Sequence, residues 1–194
     1  MAIGSPDRAA RLKQLRNYAR VQVWSGFRSR DEVRAEVLEA VRDEVTDIDE
    51  ARLLATEYVD DAERSLAEAA DAWPESTDYD RLQTAFAELE DAGITVLQAC
   101  EDHWSAQEML QTLAAAGARP RGIAYFTHPD VWHAVDHGML EINLWHGDSA
   151  NVAPGDELLA AVQETFRRNG IESLFDEGRI ETSVAWQRRP LPAV

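Results

Sequence analysis

The sequence has a single cysteine, Cys100. An intrachain disulfide is excluded, and so is a zinc site built on cysteines. So few thiols suit a reducing compartment, and a cytoplasmic location is the expectation. No apolar run approaches the roughly 18 residues that a membrane span requires. The opening segment, Met1 to Arg8, turns charged at once and has no apolar signal core. A Gly-rich phosphate loop, a dinucleotide fingerprint and a Cys-x-x-Cys pair are all missing, as are repeats and low-complexity tracts. Lysine is nearly absent too: Lys13 stands alone, and the other cations are arginine.

What is present is a chain of 194 residues, 45% of them hydrophobic, which is enough to bury a core. The net charge of −17 is unevenly spread. Residues 1–30 hold seven Arg or Lys against Asp7, about +6. Residues 31–102 hold 23 acids against five Arg, −18, and residues 103–194 hold 12 acids against seven Arg, −5. Such a surface repels nucleic-acid phosphate and anionic lipid, so neither a nucleic acid nor a membrane is an expected partner. It would attract a basic protein. The plainer reading is that the acids keep the protein dispersed in water.

The first half reads as helices. Leu12, Leu15, Ala19 and Val23 recur at helical spacing between Pro6 and Ser25. Ser29 can cap a second helix carrying Val33, Val37, Val41 and Val45. A third opens near Thr46, with Asp49 in a capping-box position, and runs to Trp73 before Pro74. Thr77 or Asp78 caps a fourth, with Leu82, Phe86 and Leu89 inward and Gly93 as its stop. Beyond Gly93 the period changes to strand–helix–strand–short helix–strand–helix–strand–strand. The strands fall at 94–100, 123–127, 139–145, 171–175 and 180–186. About 11 residues separate the second and third strands, too few for a parallel crossover, so an antiparallel return is expected. The fold class is α+β: a helical N-terminal region, 1–76, and an α+β domain, 77–194. The domain would carry a ferredoxin-like βαββαβ-type sheet with an extra hairpin strand, the alternative being a parallel α/β sheet.

Three motifs bear on chemistry. Gly147-Asp148-Ser149 resembles the GDS-type lipases and esterases, but no histidine follows Ser149 to activate it. His128-Pro129-Asp130 resembles the J-domain tripeptide, yet it follows a strand pattern and reads as a helix start. His133-Ala134-Val135-Asp136-His137 puts two imidazoles four residues apart on one helical face, a spacing that can bind a divalent metal. His128 begins the same helix and is the candidate third ligand. The plainer reading makes His133 and His137 surface side chains, with a cation favoured at the helix C-terminus. Trp145 alternates with Leu140, Ile142 and Leu144. It therefore faces away from the expected core, either under the N-terminal helices or lining a groove, and joins His128 as a candidate ligand-binding residue.

Four segments carry a resemblance. They are Trp24-Ser25-Gly26-Phe27, the run from Asp80 through Leu82, Phe86, Leu89 and Gly93 to Ile94, Gly122-Ile123-Ala124-Tyr125-Phe126-Thr127-His128, and Trp186-Gln187-Arg188-Arg189. Together the chain resembles, from about Tyr18 to Arg189, a bacterial family catalogued as domain of unknown function 6891. The family pattern has Gly-Gln-Asp after the histidine where Pro129-Asp130 stands here, and a longer loop near residues 100–108. The resemblance implies one compact module and no activity, and it draws attention to His128.

The residues thus favour a non-catalytic binding or regulatory module, with the acidic helical face of residues 31–102 holding a basic protein partner. One alternative is a small enzyme or ligand-binding protein built on His128, His133 and His137, with no cofactor expected beyond a divalent metal. Another is self-association, in which the basic first helix (Arg8, Arg11, Lys13, Arg16, Arg20) meets the acidic stretch of a second copy.

Overall fold

Ser29 closes an extended stretch and starts a helix by exchanging bonds with its own third residue. Its hydroxyl accepts from the Glu32 amide, and the Glu32 carboxylate accepts from the Ser29 amide at 2.7 Å. This is the start of α2 (Arg30–Arg42), which follows α1 (Ser5–Ser25) and precedes α3 (Ile48–Ala70). The computed structural model describes residues 5–190, with side chains from Arg8 onward. The start of α3 falls one residue later than Thr46 suggests. Asp47 is the cap, accepting from the amides of Asp49 and Glu50, both at 2.9 Å. The valines at i, i+4 in α2 are buried, as are Ala51, Ala55, Tyr58 and Val59 of α3 and Ala19 of α1, and the three helices enclose one small-residue core.

Cations of α1 lie along acids of the other two helices. Arg8 meets Glu50 at 3.0 Å, Arg11 meets Glu44 at 2.9 Å, and Arg16 meets Glu57 at 2.9 Å and Asp61 at 3.1 Å. The basic helix that the sequence offers to a second copy thus has acidic neighbours within its own unit. All these pairs are solvent-exposed, so each contributes only about 0.2–1 kcal/mol.

The chain divides into two compact units. One holds the chain up to Pro74 and takes in the stretch from Arg188; the other is Glu75–Gln187.

In the second unit Thr77 caps α4 (Asp78–Asp91) through a box with Asp80. There follow β1 (Ile94–Cys100), α5 (His103–Ala115), β2 (Gly122–Thr127), α6 (His128–His137), β3 (Met139–His146), α7 (Glu157–Arg168), β4 (Glu172–Asp176) and β5 (Arg179–Ser183). The five strands form one mixed sheet in the order β1-β2-β3-β5-β4. The α+β class holds, and so does the antiparallel return from β2 to β3. The finer arrangement differs from the expectation. A ferredoxin-like sheet splits each βαβ with a third strand, whereas here β1 and β2 are direct parallel neighbours and every other pairing is antiparallel. α7 leads into the β4–β5 hairpin, which docks on β3 from outside. Asp102 caps α5 by accepting from the Ser105 amide at 3.0 Å. The last strand stops at Ser183. Trp186 beyond it is buried, edge-on to Tyr79 at 5.0 Å and to Phe126 at 6.2 Å.

The two faces of the sheet are covered differently. Ala124, Phe126, Leu140, Ile142, Leu144 and Ile180 point to one face and are fully buried. Phe126 stacks on Phe86 of α4 at 5.8 Å, and Phe86 meets Phe166 of α7 at 6.3 Å. On the other face, Ile123, Tyr125 and Cys100 cluster with Ala106 and Leu110 of α5, and Leu97 and Trp145 pack on the cluster's edge. The rest of that face, along β3, β5 and β4, carries alternating half-buried and exposed side chains.

Candidate functional site

Two candidate regions follow from this fold. The first is the corner where the C-terminal ends of parallel β1 and β2 meet α6, the place where open α/β sheets take ligands. β1 is bulged there: its register with β2 shifts between Leu97 and Cys100, and Ala99 has φ 51, in the left-handed region that disfavours a side chain. α6 starts at once after β2. Asp130 accepts from both the amide and the hydroxyl of Thr127 at 2.7 Å. Gly138, at φ 70, ends the helix.

His128 is the first residue of α6 and lies 4.0 Å from the Glu101 carboxylate, with a largely buried side chain. His133 and His137 stand together, ring centroids 4.6 Å apart, on the exposed side of α6. The expected pair is therefore real, but His128 does not complete it. Among the described residues no group of three or more His, Cys, Asp or Glu is placed to hold a metal ion. Trp145 is half-buried, edge-on to Tyr125 at 4.8 Å. α5 shelters it, so the outward face of β3 is not wholly a solvent face.

The corner's titratable groups are shifted away from nucleophilic chemistry. Burial pushes the Cys100 thiol up to about 11, with the charges of Asp102, Asp130 and Glu101 adding to it. Burial likewise pushes the Tyr125 phenol up to about 12. Reactive cysteines sit in electropositive, partly exposed places that lower their pKa. Cys100 is in the opposite setting and stays a thiol at neutral pH.

The Gly147-Asp148-Ser149 turn gives a second negative. His146 is 2.6 Å from the carboxylate of Asp156, the cap of α7. Ser149 approaches His146 only through its backbone amide, 2.9 Å from the carbonyl, and its hydroxyl makes no bond to the ring. The imidazole steadies the start of α7 and activates no serine.

The second region is the open part of the sheet. Register places Glu141 directly opposite Glu181, and Glu181 opposite Leu174. Glu172 and Asp176 share that face of edge strand β4 and are exposed, and Leu174 is 62% exposed. Arg179, a cation on this face, bonds Glu141 at 2.5 Å. Sequence reasoning missed this surface. The alternation of residues 139–145 that turned Trp145 away from the core was its trace, and the neighbours of β3 are set by distant segments.

These features define a class of protein: a three-helix unit joined to an α+β unit with a mixed sheet. The family model described as a domain of unknown function (DUF6891) matches residues 8–190, and the chain belongs to that family. Neither a curated protein nor a solved structure matches it. Among the described residues no helix is long and apolar enough to cross a membrane.

Proposed function

We propose that the protein is a non-catalytic binding module that holds a basic protein partner on the open acidic face of β3, β5 and β4. The observation that carries this is where the acid falls once the chain is counted by unit. The helical unit holds 13 basic and 16 acidic side chains, a net of −3, whereas the α+β unit holds six and 20, a net of −14. The acidic stretch read along the sequence, residues 31–102, therefore splits between the units, and the surplus lies with the sheet. On its open face Glu141, which Arg179 bonds, stands opposite Glu181, so a partner's cation would be met by Glu181 and the acids of β4. Leu174 among the acids offers exposed apolar area of the kind that the core of an interface buries. A partner with lysines or arginines around one apolar side chain would match both. Charge of this kind speeds encounter and sets partner choice more than it adds affinity.

The test is a low-salt capture from the native host, eluted by salt. Wild type is compared with a variant carrying Glu172→Lys, Asp176→Lys and Glu181→Lys. A basic protein released by salt from wild type and missing from the variant supports the proposal. Capture of nothing, or equal capture by both, defeats it.

A further inference from the structure

We infer that a cavity beside the C-terminal end of α1 binds a small organic anion, one with a carboxylate or phosphate head on a flat apolar body. This is independent of the sheet face, because every residue of the cavity wall belongs to the helical unit.

The cavity has a volume of about 340 Å³, within the roughly 300–1,000 Å³ of small-molecule sites. In a chain of net charge −17, its wall gathers four arginines, Arg28, Arg30, Arg188 and Arg189, against one acid, Glu63. Arg30 is answered by Asp60 at 2.6 Å and Glu63 at 3.0 Å. Arg28 is placed differently. Its guanidinium donates to the side-chain carbonyl of Gln22 at 3.2 Å, and no carboxylate of the described residues bridges it. Gln22 is 1% exposed, and its side-chain amide nitrogen has no partner. A buried donor left in this state costs about 1–3 kcal/mol. Gln22 lies outside the cavity wall itself and bears on it through its bond to Arg28.

Arg188 is fixed in place. Its guanidinium lies 4.7 Å from the Phe27 ring centroid, and its Nη1 donates to the Ser25 carbonyl at 3.4 Å. Gly26, at φ 71, leaves room for this: a Cβ there would stand 2.9 Å from the Arg188 Cδ. Arg189 donates to the Pro74 carbonyl at 2.5 Å. Arginines positioned before a ligand arrives lose little freedom on binding it, and their planar forks match carboxylate and phosphate oxygens. The remaining wall is apolar, with Trp24, Val33 and Leu66. The Trp24 indole donates to the Ser65 hydroxyl at 3.3 Å and meets Trp73 edge-on at 6.4 Å, so its ring is held as a flat surface.

Calorimetric titration of the full chain at low salt tests this with adenosine monophosphate, indole-3-carboxylate and adenosine. At least one of the two anions should bind with one-to-one saturation, and adenosine at least about tenfold more weakly. Which anion binds tells phosphate from carboxylate. Arg28→Gln should weaken binding about tenfold with an unchanged melting temperature, and Glu63→Gln should tighten it. If Arg28→Gln does not melt cooperatively, Arg189→Gln takes its place with the same expected loss. The inference is overturned if neither anion saturates by about 10 mM, if adenosine binds as well as the monophosphate, or if the arginine variant binds like wild type.

Discussion

Between α1, α2 and α3 the buried side chains are mostly small: Ala19, Ala51 and Ala55 with Val33, Val37, Val41, Val45 and Val59, Tyr58 being the large exception in that cluster. In the α+β unit they are large: Phe86, Phe126 and Phe166 with Leu82, Leu89, Ile94, Ile142 and Ile180. The charges differ in parallel. The helical unit is nearly neutral and bridges its helices with exposed ion pairs, while the sheet unit carries a net of −14. Small side chains let helices approach closely but remove less apolar area from water per residue. The helical unit therefore draws more of its stability from many weak contacts, and the sheet unit from a few large ones.

Truncating one core side chain in each unit tests that contrast most strongly. Phe126→Ala should cost about 3–5 kcal/mol in urea denaturation, and Val37→Ala roughly 2 kcal/mol. Equal losses would break the contrast. Alkaline pH should come next. Cys100 and Tyr125 both titrate higher in the folded unit than in the unfolded chain, so their neutral forms favour folding. That contribution is whole below about pH 9 and is lost as pH rises through about 11 and about 12. Each group is worth on the order of 1–2 kcal/mol. The urea midpoint of the sheet unit should fall between pH 8 and 11, and Cys100→Ala should flatten part of that fall. A midpoint constant over this range would remove the buried-thiol account. The smallest effect belongs to the helical unit. Arg16→Ala removes the bridges to Glu57 and Asp61 and a guanidinium 5.0 Å from the Tyr58 ring centroid, a loss of about 1 kcal/mol that should shrink in high salt. A loss untouched by salt would show that Arg16 acts by packing its stem.

The elements were legible where a local signal existed. Ser29, Thr77 and the His128-Pro129-Asp130 start each mark a helix end by bonds within a few residues. The hairpin of the last two strands, expected at 171–175 and 180–186, was legible from their nearness in sequence. Strand order was not, because the docking of β5 on β3 depends on contacts some 40 residues apart that no local pattern encodes. The candidate site divides the same way. The His133–His137 pair follows from helical spacing. The burial of Trp145 under α5 and the cavity joining residues 24–30 to Arg188 and Arg189 require distant segments to meet. The charge of residues 31–102 divides between the two units for a related reason: a run of sequence is not a surface.

The bond from Arg188 to Ser25 spans 163 positions. During synthesis at about 5–20 residues per second, α1, α2 and α3 leave the ribosome many seconds before the arginines that complete their cavity. The helical unit can form early, but it gains its cavity late. The wall supplied by Arg188 and Arg189 thus reports that the whole α+β unit has been translated, and a chain interrupted within the sheet would carry the helices without their anion site.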